Sequence, residues 1–371
     1  PASFYDEPAT VPPEPGTLIR SEPLEYSVVG GQGFRVIYTS IDAAGTPIAV
    51  SGMIFLPDLP APAGGREVLA WAHGTLGLAQ KCAPSVSTTY SSTGWLELAL
   101  GQGWVVTASD YAGLGMAGPP TYLVGQQEAR DVVNSVRMAQ VFPDAGAGAQ
   151  WIVYGASQGG HAALWTAHEA ADLAPELPLL GVAAAVPAAE LPTIMDAQWN
   201  SSVGWVIGAA ALVSWQAEHP ELDFQKAVSA AGSKQVASLN GQCVAAAAAS
   251  ALALNKLYGP FFTSNPLDDP AWLATVTEQM PAQPSKGLPM FLAQGMDDKV
   301  VLARTNILLN QQWCAAGVTI QSLWLQGVNH QDTSVVAGPE VIEWATARFG
   351  GAPAPSDCAY PPPAPPGIQD G

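Results

Sequence analysis

A chain of 371 residues, 48% hydrophobic and only 12% charged, can bury one large core and is too apolar to be disordered. Its 31 acidic against 13 basic residues give a net charge of −18, which argues against a polyanion partner such as nucleic acid and disfavours anionic membranes. No stretch reaches the roughly 18 uninterrupted apolar residues of a membrane-spanning helix, and the best candidate, 203–215, is too short.

Residues 1–24 are rich in proline and read as an extended arm on the surface. This N-terminus has neither a basic region nor an apolar run, as expected for a secreted chain whose signal peptide has been removed. Residues 34–41 and 47–57 then read as two strands around a glycine-containing turn, an antiparallel start. The run 67–74 suits a buried strand, 95–103 a helix ending in glycine, and 103–110 another buried strand. Val132, Val133, Val136, Met138 and Val141 recur at helical spacing within 126–142.

A strand at 149–155, a helix at 158–173 and a strand at 179–187 follow. Much later come a strand at 288–295, a helix at 300–317, a strand at 318–327 and a last helix at 339–349. Buried strands alternating with helices predict an α/β domain with a mostly parallel sheet. Residues 192–285 break the rhythm with alanine-rich runs at 203–215 and 243–262 and no clear strand. They are expected to form a helical cap over an active site, inserted into a core made of 1–191 and 286–371.

Gly155-Ala156-Ser157-Gln158-Gly159 fits Gly-x-Ser-x-Gly, a weak signal by itself in a chain with 37 glycines. Its context strengthens it, because a strand precedes Ser157 and a helix follows. A serine hydroxyl becomes a nucleophile only beside a base, and in α/β-hydrolases the partners follow in the order Ser, acid, His. Two acids, Asp297 and Asp298, end the run 288–296; the usual spacing before the pair Val300-Val301 favours Asp298, with Asp297 the alternative. Of the five histidines only His330 lies beyond them, in a Gly-x-x-His loop after a strand. His161 and His168 fall on the helix behind Ser157 and are expected to pack or be partly exposed, and His219 to lie on the surface.

An oxyanion needs two N–H donors. The backbone of Gln158, directly after the nucleophile, supplies one; Thr75, in the loop His73-Gly74-Thr75, supplies the other and offers its hydroxyl as well. His73 and Gly74 would shape that loop, and Asp110, at a neighbouring strand end, would brace the oxyanion loop or the nucleophile turn. The four cysteines, Cys82, Cys243, Cys314 and Cys358, lack metal-ligand spacing and read as two disulfides of an oxidising compartment. Of three connectivities, Cys314–Cys358 is the most natural, because it staples the proline-rich tail to the body.

These residues bring a family into view. The chain resembles the secretory lipases of fungi and actinobacteria, the Candida antarctica lipase A-like group, through 4–20, 71–75 with 81–85, 109–115, 154–177, 294–301 and 327–330. The loop "AHGT" is similar to that of the bacterial branch. The resemblance implies an α/β-hydrolase fold, a Ser157–Asp298–His330 triad and disulfides Cys82–Cys243 and Cys314–Cys358. It further implies a secreted ester hydrolase acting on acylglycerols without a cofactor or metal. Such a chain is expected to be monomeric and to adsorb transiently at lipid interfaces. The same triad also serves acyl transfer to an alcohol, and the scaffold alone could bind apolar ligands without catalysis.

Overall fold

The computed structural model describes residues 2–87 and 94–364. In chain order the strands are β1 Leu18–Pro23, β2 Gly31–Ile41, β3 Pro47–Pro57, β4 Arg66–Ala72, β5 Val105–Ser109, β6 Ala147–Ala156, β7 Leu179–Ala185, β8 Met290–Gly295 and β9 Ile320–Leu325. Among the described residues they form one sheet in the order β1-β2-β3-β5-β4-β6-β7-β8-β9. The first three pairings, β1 with β2, β2 with β3 and β3 with β5, are antiparallel, and every pair from β5 to β9 is parallel.

The helices are α1 Trp95–Gly101, α2 Gly125–Val141, α3 Gln158–Leu173, α4 Leu191–Gln198, α5 Ser202–Glu218, α6 Ala230–Asn240, α7 Val244–Tyr258 and α8 Pro270–Glu278. They continue as α9 Ala303–Ala315, the single turn α10 Thr333–Val336 and α11 Gly338–Phe349. The inner parallel strands β4, β7 and β8 are buried and largely apolar on both faces, as a sheet covered on both sides requires. Along β4, Val68 and Ala70 face α2, α3 and α9, whereas Leu69 and Trp71 face α1 and α11. Along β6, Trp151 and Val153 alternate with Ile152 and Tyr154 in the same way. This period of two is what splits the core into two layers.

Between β7 and β8 the described chain is helical, α4 to α8, with an isolated bridge from Val228 to Phe262. These helices have their own core, in which Trp205, Phe224, Phe261, Phe262 and Trp272 are buried edge to face and Trp215 packs tilted on Trp272. Truncating any one of these rings to alanine costs about 3–5 kcal/mol. Tyr122, Leu123 and Val124, from the segment before α2, join this cluster and seat it on the sheet. Cys82 is bonded to Cys243 and Cys314 to Cys358. Closing loops of 161 and 44 residues contributes at most about 5 and about 4 kcal/mol in the chain-entropy picture.

Two expectations need correction. The N-terminal segment is more than an extended surface arm: Leu18–Pro23 pairs with β2, and Phe4 is buried against Ile37, Ala49 and Met116. Its prolines concealed a strand because only Pro23 falls inside it, at the sheet edge where no ladder bond is lost. The helix expected over 300–317 starts only at Ala303, because Leu302 is still extended at φ −57° and ψ 135°, while the N–H groups of Val300 and Val301 before it donate to the Asp298 carboxylate.

Helix α2 turns carboxylates inward. Asp131 is fully buried and accepts from Ser40 Oγ (2.6 Å), Gln127 Nε2 (2.9 Å) and the Ala112 N–H (2.8 Å). Loss of hydration outweighs these bonds and pushes its carboxyl up to about 7. Below the unfolded carboxyl value of about 3.9 this contribution to stability is fully present, and it is lost as pH rises through 7, on the order of 4 kcal/mol in all. Asp131→Asn mimics the protonated acid, so melting temperatures measured from pH 5 to pH 8.5 should fall less for the variant than for the parent. Equal slopes would refute a raised Asp131.

Candidate active site

Ser157 sits on the turn between β6 and α3 with φ 58° and ψ −117°, a conformation that favours glycine. The turn survives because its flanks lack side chains. A Cβ on Gly155 would lie 1.9 Å from the Gly159 carbonyl oxygen, and one on Gly159 would lie 1.8 Å from that of Ala72. The Ser157 N–H donates to Ala185 O at 3.0 Å, and its carbonyl accepts from the His161 N–H. A strained serine pinned at both ends leaves its hydroxyl projecting over the ends of the parallel strands.

His330 follows β9 in a loop braced by Thr333 Oγ1 donating to Asn329 O (2.7 Å) and Asn329 Nδ2 donating to Asp332 (2.8 Å). Its Nε2 lies 2.9 Å from Ser157 Oγ and its Nδ1 2.7 Å from Asp298 Oδ2. A carboxylate only accepts, so Nδ1 carries the hydrogen and Nε2 presents its lone pair to the serine. Asp298 is buried, and its Oδ1 accepts the Val300 and Val301 N–H groups at 2.8 and 2.9 Å. Asp297, one residue earlier, is exposed. The structure therefore brings Ser157, His330 and Asp298 into one hydrogen-bonded line and leaves Asp297 outside it.

The loop after β4 lies against the nucleophile turn. A Cβ on Gly74 would be 3.1 Å from Ala156 O and 3.5 Å from Ser157 Cβ, so glycine permits this approach. His73 Nδ1 lies 2.7 Å from Gly74 O, and its ring packs on Tyr111, whose hydroxyl donates to His73 O at 3.1 Å. Thr75 lines the same cavity as Ser157 and His330, and its Oγ1 is 3.0 Å from the Tyr122 hydroxyl. Gln158 opens α3, so its N–H is among those with no partner inside the helix.

Asp110 is placed differently from expectation. Its carboxylate does not reach the oxyanion loop or the nucleophile turn; it accepts from Ser51 Oγ (2.6 Å), Ser85 Oγ and the Ser85 N–H (3.1 Å). Only its backbone carbonyl approaches His73, at 3.3 Å from Nε2. Burial raises its carboxyl above the usual range. Through Ser85, which accepts from Tyr5 (3.0 Å), it braces the segment that carries Cys82.

Helix α3 holds a second histidine pair that sequence reasoning missed. His161 and Glu128 are both fully buried, with His161 Nδ1 2.8 Å from Glu128 Oε2 and Nε2 2.7 Å from Gln279 O. Glu128 Oε1 also accepts from Gln158 Nε2 (2.9 Å) and the Leu123 N–H (3.1 Å). One carboxylate thus ties the residue after the nucleophile to the end of α8. The available signal was Glu128 and Asp131 lying three residues apart on the inward stripe of α2, where an exposed helix face would put neither. His168 is exposed, 3.0 Å from Gln283 O, and His219 sits half-buried between Glu221 and Glu278.

Removing one partner of a buried pair is expensive. Glu128→Ala should cost about 3–5 kcal/mol in denaturant unfolding. Glu128→Gln should cost much less, since its amide can donate to a neutral His161 Nδ1 while Nε2–H still reaches Gln279 O. Equal losses in the two variants would contradict this account.

Two cavities meet at Ser157. One runs beneath α4 and α5 between Leu123, Leu191, Ile194, Met195, Ile207 and Phe262. The other opens past Thr75 and His330 toward Val244, Ala248 and Leu252 of α7. The first is lined almost wholly by apolar side chains.

A serine on a strand-to-helix turn, an acid after β8 and a histidine after β9 define the α/β-hydrolase class. Residues 80–357 match the secretory lipase family, and the chain belongs to it. Lipase 6 of Candida albicans is 25% identical over 400 residues, covering 96% of this chain and 83% of the relative. A probable inactive lipase of Mycobacterium tuberculosis is 23% identical over 381 residues, covering 94% and 83%. Candida antarctica lipase A in its closed state superposes with a TM-score of 0.79 at 18% identity, over 98% of this chain and 89% of that one. The rice cell wall degrading esterase LipA of Xanthomonas oryzae gives 0.70 at 19%, over 92% and 98%. The family and these neighbours support carboxylic ester hydrolysis as the general activity.

Proposed function

We propose that this chain is a secreted serine ester hydrolase acting on esters of apolar acids, acylglycerols among them. The observation that carries it is the unbroken line from Ser157 Oγ through His330 to Asp298, at 2.9 and 2.7 Å, beside an apolar cavity. One relative bears the name of a probable inactive lipase; a complete line of nucleophile, base and acid supports activity here.

Ser157 Oγ attacks the ester carbonyl carbon as its proton passes to His330 Nε2, and Asp298 stabilises the resulting imidazolium. The N–H groups of Thr75 and Gln158 take the charge on the carbonyl oxygen. Collapse of the tetrahedral intermediate breaks the carbon–oxygen bond, and His330 returns the proton to the departing alkoxide. Water, deprotonated by His330, then attacks the acyl-serine; the Ser157 Oγ–acyl bond breaks, His330 returns the proton to Ser157 Oγ, and the acid is released.

In this reading 192–285 act as a cap, with the cavity beneath α4 and α5 receiving the acyl chain. The two disulfides and the family support an extracellular setting. The chain works as a monomer and adsorbs briefly to lipid; exposed Leu252, which also lines the cavity of His330, and exposed Leu257 and Tyr258 favour such contact. Rates on p-nitrophenyl esters from acetate to palmitate, with and without emulsified triglyceride, test the reading. Medium or long chains should be cleaved faster than acetate, and failure to cleave any ester would defeat it.

A further inference from the structure

We propose that Tyr122 is a positioning residue that aims the Thr75 hydroxyl into the oxyanion site, adding a third donor to the two backbone N–H groups. The proposal rests on the ester-hydrolase reading above and deepens it.

The Tyr122 hydroxyl is 3.0 Å from Thr75 Oγ1, and no other partner of that threonine hydroxyl is found among the described residues. Either oxygen could donate on distance alone; chemistry decides the direction. A phenol is the better donor and the poorer acceptor, because its lone pair is delocalised into the ring, whereas an alkyl hydroxyl accepts well. Burial also drives the Tyr122 ionisation far above its ordinary value, so the proton stays on the phenol. Tyr122 therefore donates, and the hydrogen of Thr75 remains free for another acceptor.

That hydrogen has a defined place to go. Thr75 and Ser157 line one cavity, Tyr122 and Ser157 the other, so the pair stands where the two meet at the nucleophile. Residue 122, which carries the phenol, is held at its backbone from outside the site. Its own N–H donates to Ser214 Oγ of α5 at 3.1 Å, the next N–H donates to Glu128 at 3.1 Å, and Thr121 Oγ1 donates to Ala112 O at 2.9 Å. With one lone pair of Thr75 occupied, its hydroxyl loses rotational freedom before substrate arrives. A donor already aimed at developing charge needs no reorganisation in the transition state, which is where such groups act. Tyr122 also stands in the segment that packs against α5, so the placement of α4 to α8 reaches the oxyanion site through it.

The test is a pair of series with Ser157 intact, each variant checked for folding and for stoichiometric labelling by an organophosphate. Tyr122→Phe keeps the ring and should lower kcat about tenfold with KM within about twofold, because the lost bond acts only in the transition state. Thr75→Val should lose about 100-fold in kcat, and Thr75→Ser should keep most of it. The double variant Tyr122→Phe/Thr75→Val should be no slower than Thr75→Val, since Tyr122 acts through that hydroxyl alone. Affinity for a trifluoromethyl ketone should fall by the same factor as kcat/KM. An unchanged kcat in Tyr122→Phe, or losses that multiply in the double variant, would overturn the proposal. Should Tyr122→Phe fail to fold, equal rates in Thr75→Val and Thr75→Ser would do so. If the parent labels at Ser157 and cleaves esters in all these outcomes, only the role of Tyr122 is at stake.

Discussion

Ser157→Ala should lower ester hydrolysis by about 10⁶-fold, to the background left by binding and the oxyanion donors. The substitution removes Oγ and its 2.9 Å contact with His330 Nε2 and little else. The N–H of residue 157 still reaches Ala185 O, and its carbonyl still accepts from His161. Near-parental melting, together with loss of p-nitrophenyl ester cleavage and of organophosphate labelling, is the expected pattern. Ser157→Gly sharpens it. The backbone at φ 58° and ψ −117° holds strain on the order of 1–3 kcal/mol for a residue with a Cβ. Glycine should relieve part of that, so this variant should be as inactive and melt higher. Retained hydrolysis in either variant would remove Ser157 from the mechanism.

The sheet was legible because its strands carry their message in short apolar runs. Within 149–155 the run Trp151 to Tyr154 is apolar at consecutive positions, as in a strand covered on both faces, and β6 includes it. The nucleophile turn was legible through Gly155 and Gly159, whose missing side chains the close approach of backbone requires. Leu18–Pro23 was not, since an edge strand tolerates proline and needs no strong alternation. Tyr122 and Glu128 were invisible for a different reason. Each acts through a partner far along the chain, Thr75 in one case and His161 in the other, and no local spacing announces such a pair. His161 was placed correctly on the helix behind Ser157, yet only the fold shows it locked to Glu128 and to the carbonyl of Gln279.

The choice between the two aspartates turns on a tautomer. In Asp298→Asn the position of Oδ1 faces the N–H groups of Val300 and Val301, at 2.8 and 2.9 Å, and only the amide oxygen can accept them. The amide nitrogen must then face His330 Nδ1, where it donates and forces the ring hydrogen onto Nε2. A protonated Nε2 cannot take the proton of Ser157, so kcat should fall about 10⁴-fold while substrate binding is largely kept. The opposite amide orientation would set two donors against two donors and is excluded by the same geometry. Asp297→Asn changes an exposed side chain with no part in this line and should leave the rate within about twofold. Assaying both variants on one ester discriminates the assignments: a large loss in Asp297→Asn with activity kept in Asp298→Asn would transfer the role of acid to Asp297.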